Sequence, residues 1–439
     1  MNPGDPAELL AWVAYKAFLT HGHDRDSVSV PHARAMQMHE DVLRQYPTSV
    51  ITHFHLGDLY WIAARLEEAM AEYEEALRLA PRLGGTHTRV AYCLLGLGEL
   101  ERAKDRLTLA CRARSVTPAH DVLLAEAHLL LGHNHEGWRR QYLLARHFPG
   151  RITTVMTHHV RAPWWDGQYL EGALLIGGCD GYGDVLQCVR YVPLAGRRVG
   201  SLTLLVSDAL VPLFEGQFEG VPVRAYSAPP DPRFFAAWLP IMCLPHVLGI
   251  RSAQDIPPTP YIQARQVFRP LAGDFKVGIR WAGQPSNAHD LMRSTHLHQW
   301  APVLSVRGAT FYSFQFETAV VQLGEAVGAK IIDLAPELGD WNQTAAALVQ
   351  MDLVIAVDSS LAHLAGALDR PVWIPLQAAV EWRWGLESPV TPWYPSARLY
   401  RQRACGDWSD VFAEVARDLT ALVAARSSST ASHSVSRSA

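Results

Sequence analysis

The stretch "MDLVIAVDSSLAHLAGALDRPVWI", Met351 to Ile374, decides how the second half of this chain folds. Leu353 to Ala356 are apolar residues of strand type. They run through Val357 into Asp358 and two hydroxyls, then an alanine-rich helix bearing His363, then Pro371 and a second apolar run. Strand, polar turn, helix and strand make up the parallel unit that binds phosphates or nucleotides at its switch point. Backbone N–H groups and the helix dipole favour an anion at such a helix start, so Asp358, Ser359 and Ser360 are candidate ligand contacts. His363 lies one turn further in, placed either to pack or to take part.

Outward from that unit, strands alternate with helices from Trp164 onward. "GALLIGG" reads as a strand, "CDGYGD" as a tight loop, "VLQCVRYVPLA" as a helix and "SLTLLVS" as the next strand. A second series begins with Lys276 to Trp281. It continues through Thr310 to Gln315, "AKIIDL", "DLVIAV" and "PVWIPL", and ends in an amphipathic helix from Trp408 to Ala425. Two successive doubly wound domains are expected, over 150–270 and 271–425. Between them, Val221 to Pro270 is rich in proline and reads as the end of one domain and a linker. The tail 426–439, "RSSSTASHSVSRSA", is low-complexity and is expected to be disordered.

The first third is a repeat. In "ITHFHLGDLYWIAARLEEAMAEYEEALRLAP", the residues Leu56, Gly57, Tyr60, Ala69, Tyr73, Ala76 and Pro81 fall at the large, small and terminal-proline positions of a tetratricopeptide repeat. Steps of 34 keep the register, with Ala35, Val42 and Pro47 before it, Ala103, Leu107 and Ala110 after it, and Pro149 at the close. The pattern predicts an α-solenoid over 1–149. It either props up its neighbour or offers a concave groove for a protein or peptide, and repeats of this kind favour the groove.

The chain has 439 residues, 49% of them hydrophobic and 19% charged, with a formal net charge of -4. That balance points to a soluble globular protein and gives no reason to expect nucleic acid or an anionic membrane surface as partner. No apolar run is long enough to span a bilayer, and the start lacks a basic region before its apolar residues, so a cytoplasmic location and no integral membrane segment are expected. The six cysteines are scattered without paired spacing, and none of the twenty histidines falls in a zinc-ligand pattern. No metal is expected.

Polar signals concentrate at strand ends, where α/β proteins hold ligands. Gly181-Tyr182-Gly183-Asp184 is one such place, with Asp184 placed either to cap the following helix or to act as a general base. The loop Arg280 to Ser294 holds Gly283, Asn287, Asp290 and Arg293, and Arg293 is either a phosphate clamp or an ordinary surface arginine. "EWRWGLESPVTPWYPSARLYRQ" is dense in tryptophan and arginine, and an aromatic core around a buried loop accounts for it.

Together, "GYGDVLQCVRY", "VGIRWAGQPSNAHDLMRS", "DLVIAVDSSLAHLAGALDRPVWI" and the tryptophan-rich run resemble the bacterial tetratricopeptide-repeat proteins whose C-terminal part looks like glycosyltransferase family 9, the heptosyltransferase-like group. The resemblance implies a GT-B architecture of two Rossmann-like domains face to face, with a nucleotide-sugar held mainly by the second. It implies Gly283, Arg293, Asp358, Ser359, Ser360 and His363 as donor-site residues, Asp184 as the base that deprotonates an acceptor hydroxyl, inversion at the anomeric centre, and no metal. Cys179-Asp180 and Gln343-Thr344-Ala345-Ala346 depart from the family pattern, which commonly has Glu-Gln and Asp-Thr-Ala-Ala there. The expected activity is sugar transfer to a protein recruited by the repeats. The alternatives are a non-catalytic scaffold with a degenerate transferase domain and a heptosyltransferase acting on a glycolipid.

Overall fold

The computed structural model describes residues 29–113, 118–147, 162–179, 181–285, 290–325 and 331–435. Seven helices come first: α1 (Ser29–Gln45), α2 (Val50–Ile62), α3 (Leu66–Leu79), α4 (Gly84–Gly96), α5 (Leu100–Arg112), α6 (Pro118–Leu130) and α7 (Asn134–His147). From α2 onward they pair as antiparallel hairpins, and α1 packs on α2. The repeat positions make the pairing steric. Ala69, Tyr73, Ala76, Ala103, Leu107 and Ala110 are wholly buried, and a Cβ on Gly57 would stand 2.6 Å from the Tyr73 ring. A large residue on one helix therefore needs a small one on its partner. Residues 1–28 of the expected solenoid, and Pro149 at its close, lie outside the described residues.

Two parallel sheets follow. The first comprises β1 (Leu170–Gly177), β2 (Val199–Val206), β3 (Val223–Ala225) and β4 (Ala237–Pro240), in the order β3-β2-β1-β4. The second comprises β5 (Lys276–Arg280), β6 (Thr310–Ser313), β7 (Ile331–Asp333), β8 (Leu353–Ala356), β9 (Val372–Leu376) and β10 (Ala397–Arg401), in the order β10-β9-β8-β5-β6-β7. Every pairing in both sheets is parallel. The chain leaves β5 toward β6 on one side and returns through β8 on the other, so the switch point lies between β5 and β8. Their C-terminal ends carry the two loops that hold the expected donor-site residues. Strands β8 and β9 are buried along their whole length, as strands covered by helices on both faces must be.

The proline-rich region proved to hold structure. Short strands β3 and β4 lie in or next to it, and a proline closes β4 where the ladder ends. β10 was also hidden, inside the tryptophan-rich run. The C-terminal helix α11 runs from Ser409 to Val435, well past Ala425. The tail expected to be disordered over 426–439 is helical as far as Val435, and 436–439 lie outside the described residues. Ser427 and Ser428 turn their hydroxyls back onto the carbonyls of Val423 and Ala424, which satisfies those side chains within the helix. Among the described residues no helix is long and apolar enough to cross a membrane.

The solenoid is docked on both sheets. Trp138 of α7 meets Trp382 and Trp393 edge-on, at centroid distances of 5.1 and 6.0 Å, and Tyr142 packs on Trp164 and His246 of the first α/β unit. The Cys405 N–H donates to the Gly96 carbonyl at 2.6 Å, and Lys104 pairs with Glu387 at 2.8 Å.

Candidate functional site

The helix after β1, α8 (Tyr182–Cys188), begins at the fourth residue of the expected loop "CDGYGD". Gly183 and Asp184 therefore sit in its first turn. α8 packs against α10 (Ser360–Ala367), the helix that follows α9 (Trp341–Leu348) and β8, and this contact joins the two α/β units. The approach is close. A Cβ on Gly183 would stand 2.7 Å from the His363 ring, and one on Gly366 would stand 2.3 Å from the Tyr394 ring. Only glycine lets the helices and the Tyr394 segment meet at that spacing.

Asp184 and His363, taken from opposite units, are brought to one place by this contact. Asp184 accepts from the guanidinium of Arg383, which also donates to Glu381 and to the buried side-chain oxygen of Gln187. Arg383 is itself buried, fixed between carboxylates of both units, and these carboxylates hold it firmly charged. Burial pushes the Glu381 carboxyl up to about 8; the Arg383 guanidinium opposes this, while the Asp358 and Asp184 carboxylates add to it. His363 is buried, hydrogen-bonded through Nδ1 to the Tyr394 hydroxyl at 2.8 Å and stacked on Trp384 at 5.2 Å. Burial, followed by the Arg383, Arg190 and Arg293 guanidiniums, holds its proton affinity well below the usual imidazole range, so it is neutral near pH 7.

The turn after β8 has the expected form. Asp358 and Ser359 are buried, Ser359 is the N-cap of α10 in an extended conformation, and Ser360 begins the helix. Ser359 Oγ makes no cap bond and has no hydrogen-bond partner among the described residues. On the neighbouring strand end, the Gly283 N–H donates to Ser294 Oγ at 2.8 Å, and Ser294 donates in turn to Asp290 at 2.7 Å. A Cβ on Gly283 would stand 2.7 Å from Asp290 and 2.8 Å from Arg293, so glycine lets this loop close over the arginine. Arg293 lies 3.6 Å from Asp290, and its Nε is buried without a hydrogen bond among the described residues. Asn287 lies outside the described residues.

Sequence reasoning passed over Glu381, Arg383 and Arg190. Arg190 is wholly enclosed and donates to the Tyr261 hydroxyl at 3.0 Å and to the Trp393 carbonyl at 2.9 Å, so it ties the α8 segment to the tryptophan-rich run. The density of Trp and Arg between 381 and 401 was the available signal. Trp382 and Trp393 meet the solenoid, Trp384 covers His363, and Arg383 between them reaches the opposite unit.

Comparison with known proteins adds what the chain is similar to. Residues 315–376 match the profile of glycosyltransferase family 9 (heptosyltransferase), and residues 51–83 match the tetratricopeptide repeat. Protein FlbA of Caulobacter vibrioides is 27% identical over 425 residues, covering 88% of this chain and 70% of that protein. A variant of the Thermobaculum terrenum O-GlcNAc transferase is 14% identical, covering 95% of this chain and 92% of its own, at a TM-score of 0.32. E. coli ADP-heptose lps heptosyltransferase II is 15% identical, covering 58% of this chain and 99% of its own, at a TM-score of 0.40. The chain thus carries a tetratricopeptide-repeat solenoid followed by two parallel-sheet α/β units, the second of which contains the stretch similar to glycosyltransferase family 9.

Proposed function

We propose that this glycosyltransferase moves a sugar from a nucleotide-sugar to a hydroxyl on a protein held by the solenoid, with inversion and without a metal at the leaving group. One observation carries the donor half. The loops after β5 and β8, neighbouring strands at the switch point, hold two buried polar atoms without hydrogen-bond partners among the described residues, Arg293 Nε and Ser359 Oγ, the second at the N-cap of α10. A diphosphate supplies the acceptor oxygens that such donors need, and Arg293 with the helix dipole offsets its charge as it leaves. Gly283, Asp358, Ser360 and His363 complete this surface. The neutral His363 adds no charge and, held by Tyr394, packs its ring against Gly183 at the domain contact.

In the transfer step the acceptor oxygen attacks the anomeric carbon from the face opposite the diphosphate. The bond to the diphosphate breaks, and the acceptor's proton passes to a carboxylate. Asp184, about one-third exposed at the junction, is that carboxylate in this reading. A specific observation favours a second carboxylate. Arg383 engages Asp184 Oδ1 and Glu381 Oε1 alike, but burial raises the proton affinity of Glu381 toward neutral pH, where a base works best. The docked solenoid supports the protein acceptor, because it is fixed against Trp382 and Trp393, next to Arg383.

Thermal shift with a panel of nucleoside diphosphates, in the presence and absence of a chelator, tests the donor reading. A diphosphate at about 100 times its dissociation constant stabilises the protein by about 2.7 kcal/mol. The expected result is a shift that survives chelation in wild type and is lost in Arg293→Ala. The absence of a shift with every nucleotide would overturn it.

A further inference from the structure

The solenoid holds a cluster that no motif announced. Cys111 lies in the last turn of α5, and His128 and His133 flank the end of α6. One ligand atom from each, the thiol sulfur and a ring nitrogen from each histidine, lies within 4.8 Å of the other two. The arrangement is built by the helix end. Gly132 adopts φ +75, the His133 N–H donates to the His128 carbonyl at 2.8 Å, and the Gly132 N–H donates to the Leu129 carbonyl at 3.0 Å. This is a Schellman motif, in which the side chains of the third-last helical residue and of the second residue past the cap come together. An apolar pair ordinarily fills those positions. Here both are histidines, with ring centroids 5.7 Å apart.

A second observation points to a ligand. His128 is only 8% exposed, and neither of its ring nitrogens has a hydrogen-bond partner among the described residues. A buried donor or acceptor without a partner costs about 1–3 kcal/mol, so an imidazole left in this state calls for something to bind it. The cation nearest the cluster, Arg140, is paired with Glu136 at 2.9 Å and with Asp121 at 3.5 Å, which offsets its charge. Cys111 is half-buried and not in a disulfide, and His133 is exposed and can turn its ring.

We propose that Cys111, His128 and His133 bind a zinc-class divalent cation inside the repeat region. One thiolate and two imidazoles form a donor set that suits zinc. Bond lengths of about 2.3 Å to sulfur and 2.0–2.1 Å to nitrogen bring tetrahedral ligands closer together than they now stand, and rotation of the exposed His133 ring draws them in. The thiol gives up its proton to solvent on binding. A fourth position, on the His133 side, stays open to water or to a donor from a bound protein. The cation clasps α5 to the α6–α7 turn and stiffens the solenoid next to the helix that carries Trp138.

The full-length protein, stripped with a chelator and titrated with Co(II) and then Zn(II), tests this. The expected result is one equivalent of Co(II) with the visible bands of a four-coordinate ion and a thiolate-to-cobalt band in the near ultraviolet, displaced by Zn(II), with a thermal midpoint raised by either ion. Cys111→Ser should lose the thiolate band, and His133→Ala, at an exposed position that leaves the fold intact, should weaken binding by at least about tenfold. No stoichiometric uptake, an unchanged thiolate band in Cys111→Ser, or wild-type affinity in His133→Ala would each overturn the site.

Discussion

Arg383 shows how one side chain sets the chemistry of its neighbours. It joins Asp184 of the first unit to Glu381 of the second, and removal of its charge would leave two carboxylates facing one another with Asp358 nearby. The two candidate bases predict different pH behaviour. If Asp184 takes the proton, Asp184→Asn lowers transfer by about 100- to 10,000-fold and leaves nucleotide binding unchanged, and wild-type rates in that variant would eliminate it. If Glu381 takes the proton, the wild-type rate climbs with pH through about 8 and that limb disappears in Glu381→Gln. A further residue-scale prediction concerns His363, whose proton affinity is depressed in the folded state. The unfolded chain takes up a proton near pH 6.5 that the folded chain refuses. Stability present above that pH is therefore lost as the pH falls below it, by up to about 1.4 kcal/mol per pH unit. Urea midpoints compared at pH 5 and 7.5 should differ less in His363→Gln than in wild type; an equal difference would show that the histidine is not held neutral.

Among the elements, α8 and α10 matter most because their contact is also the domain contact. Gly183 and Gly366 leave no room for a methyl group. The rings they face are held as well, His363 by Tyr394 and Trp384, and Tyr394 by His363. Overpacking a site that cannot yield costs about 1–3 kcal/mol. Gly366→Ala is expected to destabilise the protein by that amount in denaturant unfolding and to weaken diphosphate binding, since it displaces the segment behind Ser359 and Ser360. A variant as stable as wild type would mean that Tyr394 is free to move. The family resemblance pointed to Ser359, Ser360 and Asp358 because the strand-turn-helix pattern is local. It could not show that Gly183 meets His363, since those residues are 180 positions apart and only packing brings them together.

For the whole molecule, the solenoid is a docked part of the transferase. Trp138, Trp382 and Trp393 form one aromatic cluster across the boundary, and Tyr142 extends it to Trp164 and His246. Removing the repeats would uncover this apolar surface, so a truncated protein is a poor test of acceptor recruitment. Trp138→Ala is the better experiment. Loss of a buried tryptophan costs about 3–5 kcal/mol, and here part of that loss should appear as loosened docking, with faster proteolysis and a larger radius of gyration in solution scattering. Unchanged proteolysis and scattering would show that the other contacts hold the solenoid by themselves.

By itself the sequence determined what depends on neighbours along the chain. The 34-residue spacing of small and large residues set the helical hairpins, and alternating apolar runs set the parallel strands. The run from Val357 to Ser360 set the turn between a strand and a helix start. Tertiary structure decided what depends on distant residues meeting. It placed Arg383 between Asp184 and Glu381, turned the tryptophan-rich run into the seam with Trp138, and folded strands into or beside a stretch that read as a linker. The thiol of Cys111 likewise joins two histidines that a Schellman turn had paired. Periodicity carries secondary structure because each helix or strand repeats its own pattern. A proton affinity or a ligand set comes from burial and charge supplied by several segments, and no single segment contains that information.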